Sequence, residues 1–289
     1  MLKTIGIIGG DLRIIRLAEI LAKDNYLIYT YGLEKYKFFN NNILKTINIQ
    51  EICKACKNII SSIPFSKDGK YLNLEFSNNQ ISIEELLKIV KGKTLISGGI
   101  KQEIIEKASK QDIKIVDLLN VEEFTVLNVI PTVEGAIEVA IKETEITLNG
   151  SNCLILGFGR IGKLLAKSLD ALGAEVSCVA RKQSDIAWIK AYGYNAVYLE
   201  NLDENLKNKY DIIFNTIPAV ILDRKKLQIL KESKPLIIEL ASKPWGEDFD
   251  SAKEFEIKII KAQGLPGKVA PLTSAINIRN ILKKYNFNQ

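Results

Sequence analysis

Residues 153–156, Cys-Leu-Ile-Leu, run directly into Gly157, Phe158, Gly159, Arg160, Ile161 and Gly162, a GxGxxG spacing. The chemistry such glycines serve is the cradling of a pyrophosphate. Gly157 permits a tight turn, Gly159 carries no Cβ to block an approaching phosphate, and Gly162 lets a helix lie close on the strand. The phosphates would meet free N–H groups at the positive end of the next helix, whose Ile161, Leu164, Leu165, Ser168, Leu169 and Leu172 share one face. A lone GxGxxG is a weak signal. Here an apolar strand precedes it and an amphipathic helix follows, which is the context a dinucleotide site requires.

The next apolar run, 175–180, ends in Arg181 and Lys182. An NAD site usually offers a carboxylate at this point to the ribose 2′-hydroxyl. An arginine cannot accept a hydrogen bond, but its forked donors suit a 2′-phosphate. The basic pair therefore argues for NADP(H) over NAD(H); the alternative is an arginine stacked on adenine and indifferent to the phosphate. Asn215, Thr216, Ile217 and Pro218 end another apolar strand, and Glu239 to Pro244, with Ser242 and Lys243, end the one after it. Both sets lie at carboxyl ends of strands, where open α/β sheets bind ligands. They are candidate lips of a nicotinamide pocket or ordinary turns.

The chain has no histidine. Acid–base chemistry of the 2-hydroxyacid dehydrogenase kind, Ser-His-Asp hydrolysis and His-rich metal sites are thereby excluded. The reaction must use Lys, Glu, Asp or Tyr, or need little proton transfer. The four cysteines suggest no disulfide framework and are expected to be structural. Cys53 and Cys56 have metal-like spacing without a second pair to complete four ligands. A net charge of +6 comes from lysines spread along 289 residues, so no nucleic-acid partner is expected. No signal peptide is read at the N-terminus. No apolar run is read as reaching the ~20 residues of a membrane helix. The expectation is a cytoplasmic protein with no membrane contact and no metal.

Two β/α alternations must position these residues. In the first, strands are expected at 4–8, 26–31, 58–63, 93–97 and 113–117, with helices after the Gly9–Gly10 turn, at 83–90 and at 102–109. Segment 65–80 reads as an insertion or surface hairpin. Pro131 is expected in the first turn of a connecting helix, on which Val133, Ala136, Ile137, Ala140 and Ile141 form an apolar stripe. In the second alternation, strands are expected at 153–156, 175–180, 196–199, 211–215, 236–239 and 257–261. A Gly/Pro-rich loop at 264–271 precedes a final helix at 274–285. The fold class is α/β: two Rossmann-like, doubly wound parallel-sheet lobes with a cleft between them. Residues 1–127, completed by 272–289, form a flavodoxin- or Rossmann-like substrate lobe, and 128–271 a nucleotide lobe.

The motifs together resemble the dehydrogenase (A-type) subunit family of dipicolinate synthases. The resemblance rests on the Ile7–Arg13 stretch (IIGGDLR), on IPTVEG at 130–135, LGFGRIG at 156–162 and NTIP at 215–218, on LASKP at 240–244, and on GLPG at 264–267 followed by VAP at 269–271. It covers nearly the whole chain and fails mainly in 38–80. It implies oxidation of dihydrodipicolinate to dipicolinate (pyridine-2,6-dicarboxylate) with NADP, on a branch of the lysine pathway during sporulation, in the mother cell. The implied partner is the second, flavoprotein-like (B-type) subunit of dipicolinate synthase, and a homo-oligomer is an open expectation. Forming an aromatic ring supplies a large driving force, which agrees with the missing histidine. The protein's tasks are orientation and exclusion of water.

A dicarboxylate needs cationic or N–H donors at two places. Arg13 leads the candidates; its alternative is a solvated helix residue. Ser97 and Gly98 offer donors or merely turn the chain. Thr132 and Glu134 are expected at a helix N-terminus, which favours anions; Thr132 could instead be a plain cap, and Glu134 could take the ring proton or orient a donor. Ser242 and Lys243 complete the set, with Lys268 weaker. The competing readings are a shikimate-dehydrogenase-like NADP oxidoreductase of another small acid and a non-catalytic dinucleotide sensor.

Overall fold

A computed structural model describes residues 3–242 and 245–285. The chain divides into two compact units, 1–128 with 266–289, and 129–265. In the first unit, β1 (Lys3–Ile8), α1 (Leu12–Lys23), β2 (Tyr26–Tyr31), β3 (Ile43–Lys45), α2 (Ile49–Ala55), β4 (Asn58–Ser61), α3 (Ile83–Ile89), β5 (Thr94–Ser97), α4 (Gln102–Ser109) and β6 (Lys114–Asp117) follow in order. Their strands form one parallel sheet, β3-β2-β1-β4-β5-β6. In the second unit, β7 (Asn152–Leu156), α6 (Arg160–Ala171), β8 (Glu175–Ala180), α7 (Gln183–Ala191), β9 (Asn195–Tyr198), α8 (Leu202–Asn205), β10 (Ile212–Asn215), α9 (Arg224–Leu230), β11 (Leu236–Glu239), α10 (Phe249–Glu254) and β12 (Ile259–Lys261) give the parallel sheet β12-β11-β10-β7-β8-β9. Both orders are that of the doubly wound dinucleotide fold. Each reverses direction beside its first strand, so β1 and β7 occupy equivalent central places.

The central strands read as unbroken apolar runs because both of their faces are covered. Cys153, Leu154, Ile155 and Leu156 are all buried, as are Ile212, Ile213 and Phe214. Helix α1 starts at the Asp11 cap and buries Ile14, Ile15, Ala18 and Leu21. The last helix, α12 (Pro271–Lys284), joins the same core through Ala275, Ile278, Ile281 and Leu282. Its Arg279 donates to both carboxylate oxygens of Asp24, at 2.8 and 3.0 Å.

The structure corrects several sequence expectations. The connecting helix α5 (Glu122–Glu143) starts nine residues before Pro131, which lies inside it. Proline removes only one ladder donor, the bond that would reach the carbonyl of Leu127. The chain passes from one unit to the other within this helix, at Asn128–Val129. Helix α5 also passes by length and composition as a membrane span, contrary to the sequence reading. Its Val129, Val133, Ala136 and Ala140 are nevertheless buried in the core of the second unit. Segment 65–80 is not a surface hairpin of regular strands: Phe65 and Leu72 belong to the core, and its one β-bridge among the described residues is the isolated antiparallel one of Tyr71 with Ser82. Strand β3 and helix α2 went unread. The 264–271 loop contains α11 (Leu265–Val269), and the final helix begins at Pro271 rather than 274.

Candidate dinucleotide site

In the second unit, Gly157 leaves β7 with φ +99°, a conformation that favours glycine, and its N–H donates to Val179 O at 3.0 Å. A Cβ on Gly157 would meet Thr216 Oγ1 at 2.6 Å, and one on Gly162 would lie 2.1 Å from Gly157 O. A Cβ on Gly159 would meet nothing within 4 Å. That open space faces the start of α6, whose Gly159 cap supplies no side chain to its first N–H groups. The three glycines thus hold a turn that keeps donors free for an anion at a helix N-terminus. This fits a dinucleotide pyrophosphate.

The surrounding candidates divide by depth. Thr216 anchors the far side of the turn: its N–H and hydroxyl both donate to Leu156 O, at 3.0 and 2.8 Å. Ile217 packs against Gly157, and Pro218 is exposed. Phe158 is 4% exposed and belongs to the core, with the Lys163 ammonium 5.6 Å from its ring, so only its backbone can serve a ligand. Ile161 is half-buried and Arg160 exposed. Arg181 and Lys182 are exposed just beyond β8, and neither side chain makes a hydrogen bond or ion pair among the described residues.

The equivalent turn of the first unit cannot take a phosphate. Gly9 and Gly10 also have positive φ, but a Cβ on Gly9 would meet Leu74 Cδ2 at 2.4 Å and Asn73 O at 2.8 Å. Gly10 N–H donates to Asn73 O at 3.2 Å. Segment 65–80 covers this turn through Asn73 and Leu74.

Arg13 is corrected as well. It is 2% exposed and spends its guanidinium internally: Nε and Nη2 donate to Asp11 at 3.0 and 2.8 Å, and Nη2 to Ile63 O at 2.7 Å. Asp11 in turn abuts Gly267, where a Cβ would lie 2.2 Å from its Oδ2. This arrangement ties the first turn to the Gly/Pro segment before α12. Ser97 is fully buried and donates to Ser62 O at 2.5 Å. Gly98 accepts from Phe65 N–H, while the N–H groups of Gly99 and Ile100 donate to Asp117. These donors serve the fold.

Thr132 and Glu134 do not start a helix; they lie mid-way along α5, where N–H groups enter the ladder, so the anion argument based on a helix N-terminus fails. Glu134 is exposed and Thr132 half-buried. Ser242 is exposed three residues beyond β11, Lys268 is exposed in the first unit, and Lys243 lies outside the described residues. Burial raises the thiols of Cys56 and Cys153 to about 11 and that of Cys178 to about 12, which leaves them un-ionised and unreactive near neutrality.

The sequence offers Asn215 and Glu239 only as the first residues of two candidate lips; the structure joins them in a buried polar group beside the site, with Glu247, which the sequence did not mark. Asn215, the last residue of β10, donates from Nδ2 to Glu239 at 2.9 and 3.1 Å, and Glu239, the last residue of β11, accepts from Ala241 N–H at 2.7 Å and Gly246 N–H at 2.8 Å. Glu247 is buried beside Glu239, with a carboxyl pushed up to about 9 by burial first and by Glu239 second. The available signal was an acid ending an otherwise apolar strand.

Fold and turn together define a two-unit α/β protein whose second unit is a nicotinamide-dinucleotide-binding domain. Residues 4–119 match the model for the N-terminal domain of the dipicolinate synthase A-type subunit. Residues 133–238 match that for the NAD-binding domain of D-isomer-specific 2-hydroxyacid dehydrogenases. The A-type subunit of dipicolinate synthase from Bacillus subtilis (strain 168) is 34% identical over 283 residues, 97% of this chain and 94% of that protein. The crystal structure of its counterpart from Bacillus halodurans superposes with a TM-score of 0.85 at 29% identity, over 98% of this chain and 97% of that one. The crystal structure of the Bacillus subtilis protein gives 0.84 at 32%, over 99% and 96%. The chain belongs to the A-type subunit family of dipicolinate synthases, and it is an NAD(P)-dependent dehydrogenase.

Proposed function

We propose that this dehydrogenase oxidises dihydrodipicolinate to dipicolinate with NADP rather than NAD, in the mother-cell cytoplasm of a sporulating bacterium. The carrying observation is the identity, over almost the whole length of both chains, with a subunit of dipicolinate synthase. The chemistry the cofactor supplies is hydride acceptance by the nicotinamide. The chain's own residues do the rest. The Gly157–Gly162 turn binds the pyrophosphate through unspent N–H groups. Arg181 and Lys182 pair with the 2′-phosphate; both are exposed, without a competing carboxylate among the described residues. Thr216 and Ile217 brace the turn from β10. Ser242 and Glu134, both exposed, are the second unit's candidates for contact with substrate, with Thr132 two residues before Glu134 on α5.

No histidine is needed, because the oxidation generates an aromatic ring and the departing proton leaves a strongly activated carbon. The relatives are subunits of a synthase, which supports a second chain as partner; the flavoprotein-like B-type subunit is the proposed one.

The test is NADPH formation, followed by absorbance, with dihydrodipicolinate generated in situ, with and without the flavoprotein-like partner. Growth of the signal with NADP and a much weaker one with NAD is expected. Tight NADP binding with no turnover under either condition would favour a dinucleotide sensor instead.

A further inference from the structure

Beyond β11, residues 240–242, which include Ser242, and residues 245–248 are tied together by one buried carboxylate. Glu239 is fully buried and accepts four hydrogen bonds: two from Asn215 Nδ2 and one each from the N–H groups of Ala241 and Gly246. The two amides lie one in each of these stretches, so Glu239 joins them like a clasp. Gly246 is required there, because a Cβ would lie 1.9 Å from Asn215 Nδ2. Gly246 O accepts from Ile221 and Leu222 N–H, both at 2.8 Å. Asn215 also bonds both the N–H and the carbonyl of Ile217. The same clasp therefore fixes the two loops after β10 and β11.

Glu247 completes the arrangement. It is 4% exposed, and neither of its oxygens meets a donor. Two charged groups bear on it: Glu239 from β11, and Lys261 from the end of β12. The Lys261 ammonium is itself held between the rings of Trp245 and Phe249, at 3.8 and 3.9 Å. Glu239, with its four donors, is the natural bearer of negative charge. An ionised Glu247 would be a second buried anion without a donor, which is costly. As a neutral acid it can donate to the Glu239 carboxylate instead.

We propose that Glu239 and Glu247 form a carboxylate–carboxylic acid pair that positions the β10 and β11 loops for the dehydrogenase reaction. They are positioning residues: they act through Asn215, Ala241 and Gly246, and Ser242 is what the loop presents. The proposal rests on the reading of this edge as the reactive end of the dinucleotide site. Its consequence is an alkaline limit. When Glu247 loses its proton, as pH rises through about 9, two anions share the buried clasp and the loop loosens.

The experiment uses the full-length chain as wild type, Glu247→Gln and Glu239→Gln. Hydrogen–deuterium exchange of peptides covering 240–248 is compared with intrinsic rates from pH 7 to 10. Wild type should lose about ten-fold in protection across that range. Glu247→Gln keeps a neutral donor and should hold its protection throughout. Glu239→Gln should be poorly protected at every pH. The infrared C=O stretch of a buried carboxylic acid should be present in wild type at pH 7 and absent in Glu247→Gln. Parallel exchange profiles for wild type and Glu247→Gln, or no acid band in wild type, would overturn the proposal.

Catalysis gives the second arm. The alkaline fall in kcat should disappear in Glu247→Gln, while NADPH affinity, set at the glycine turn, changes less than two-fold. Wild type that neither binds NADPH nor turns over counts against the proposed function. Turnover with an unshifted pH profile in Glu247→Gln counts against the pair. Should Glu239→Gln fail to fold by circular dichroism, the Glu247→Gln comparison decides alone.

Discussion

Gly162 sits against the carbonyl oxygen of Gly157 so closely that a Cβ would lie 2.1 Å from it, whereas Gly159, between them, has room for a Cβ on every side. The two positions therefore fail differently. Gly162→Ala should force the turn and α6 apart, destabilise the protein by about 2 kcal/mol, and weaken dinucleotide binding as a result. Gly159→Ala should leave the thermal midpoint within about a degree and reduce NADPH affinity ten-fold or more, since the methyl occupies space a phosphate would use. Melting curves without ligand and fluorescence titration with NADPH separate the two. Equal thermal losses would contradict the geometry.

Arg181 tests the cofactor preference without touching the fold. Its side chain is exposed, with no partner among the described residues, so Arg181→Asp should change stability by less than about 0.5 kcal/mol. Loss of a charge-assisted pair, together with repulsion from a new carboxylate, should weaken NADP binding by about 2–3 kcal/mol, roughly 30- to 150-fold. NAD binding should weaken little or improve. Equal losses for the two dinucleotides, measured by titration, would mean that Arg181 stacks on adenine instead.

The sheets were legible from the sequence because parallel strands covered on both faces are continuous apolar runs, as at Cys153–Leu156. The glycine turn was legible because its requirements, positive φ at Gly157 and contact at Gly162, admit hardly any other residue. Strand β3 has only three residues, Ile43–Lys45, with one of them buried, so no pattern could form. Pro131 misled because proline is common both in a first turn and, less often, inside long helices. Arg13 misled more instructively: its type and place suit an anion, but its anion is the chain's own Asp11, two residues away. The proposed Glu239–Glu247 pair joins a strand end to a residue eight positions on, across an irregular segment, and no helical or strand spacing announces it.

The Asp11–Arg13 pair makes a prediction opposite to that of a substrate ligand. The Arg13 side chain is 3% exposed and that of Asp11 11%, so removing one partner leaves the other buried without its counter-charge. Arg13→Ala or Asp11→Ala should cost about 3–5 kcal/mol, visible in melting curves with no ligand present. Arg13→Met in an Asp11→Asn background should cost less than the sum of the single changes. Gly267→Ala should resemble Asp11→Ala, because its methyl occupies the place of the Asp11 carboxylate. An Arg13→Ala protein with native stability and a raised KM alone would restore Arg13 as a substrate ligand.

Asp24 supplies an acid-range prediction whose sign is fixed. Hydrogen bonds from Arg279 and Lys283 hold its carboxyl down at about 2, against a usual 3.8, despite some opposing burial. A depressed folded value means that the unfolded chain binds the proton more readily. The contribution is therefore fully present above pH 3.8 and is lost as pH falls through about 2. Asp24 is 22% exposed and Arg279 29%, so solvent screening reduces the contribution to about 1 kcal/mol. Asp24→Asn should thus lower stability by about that amount at pH 5 and above. Because the pair fastens α12 to the end of α1, amide exchange should rise first in α12. The gap between wild type and Asp24→Asn should narrow as pH falls below 3.8 and shrink to a small fraction by about 2, as followed by urea unfolding at each pH. A gap as large at pH 2 as at pH 5 would assign the loss to packing rather than charge.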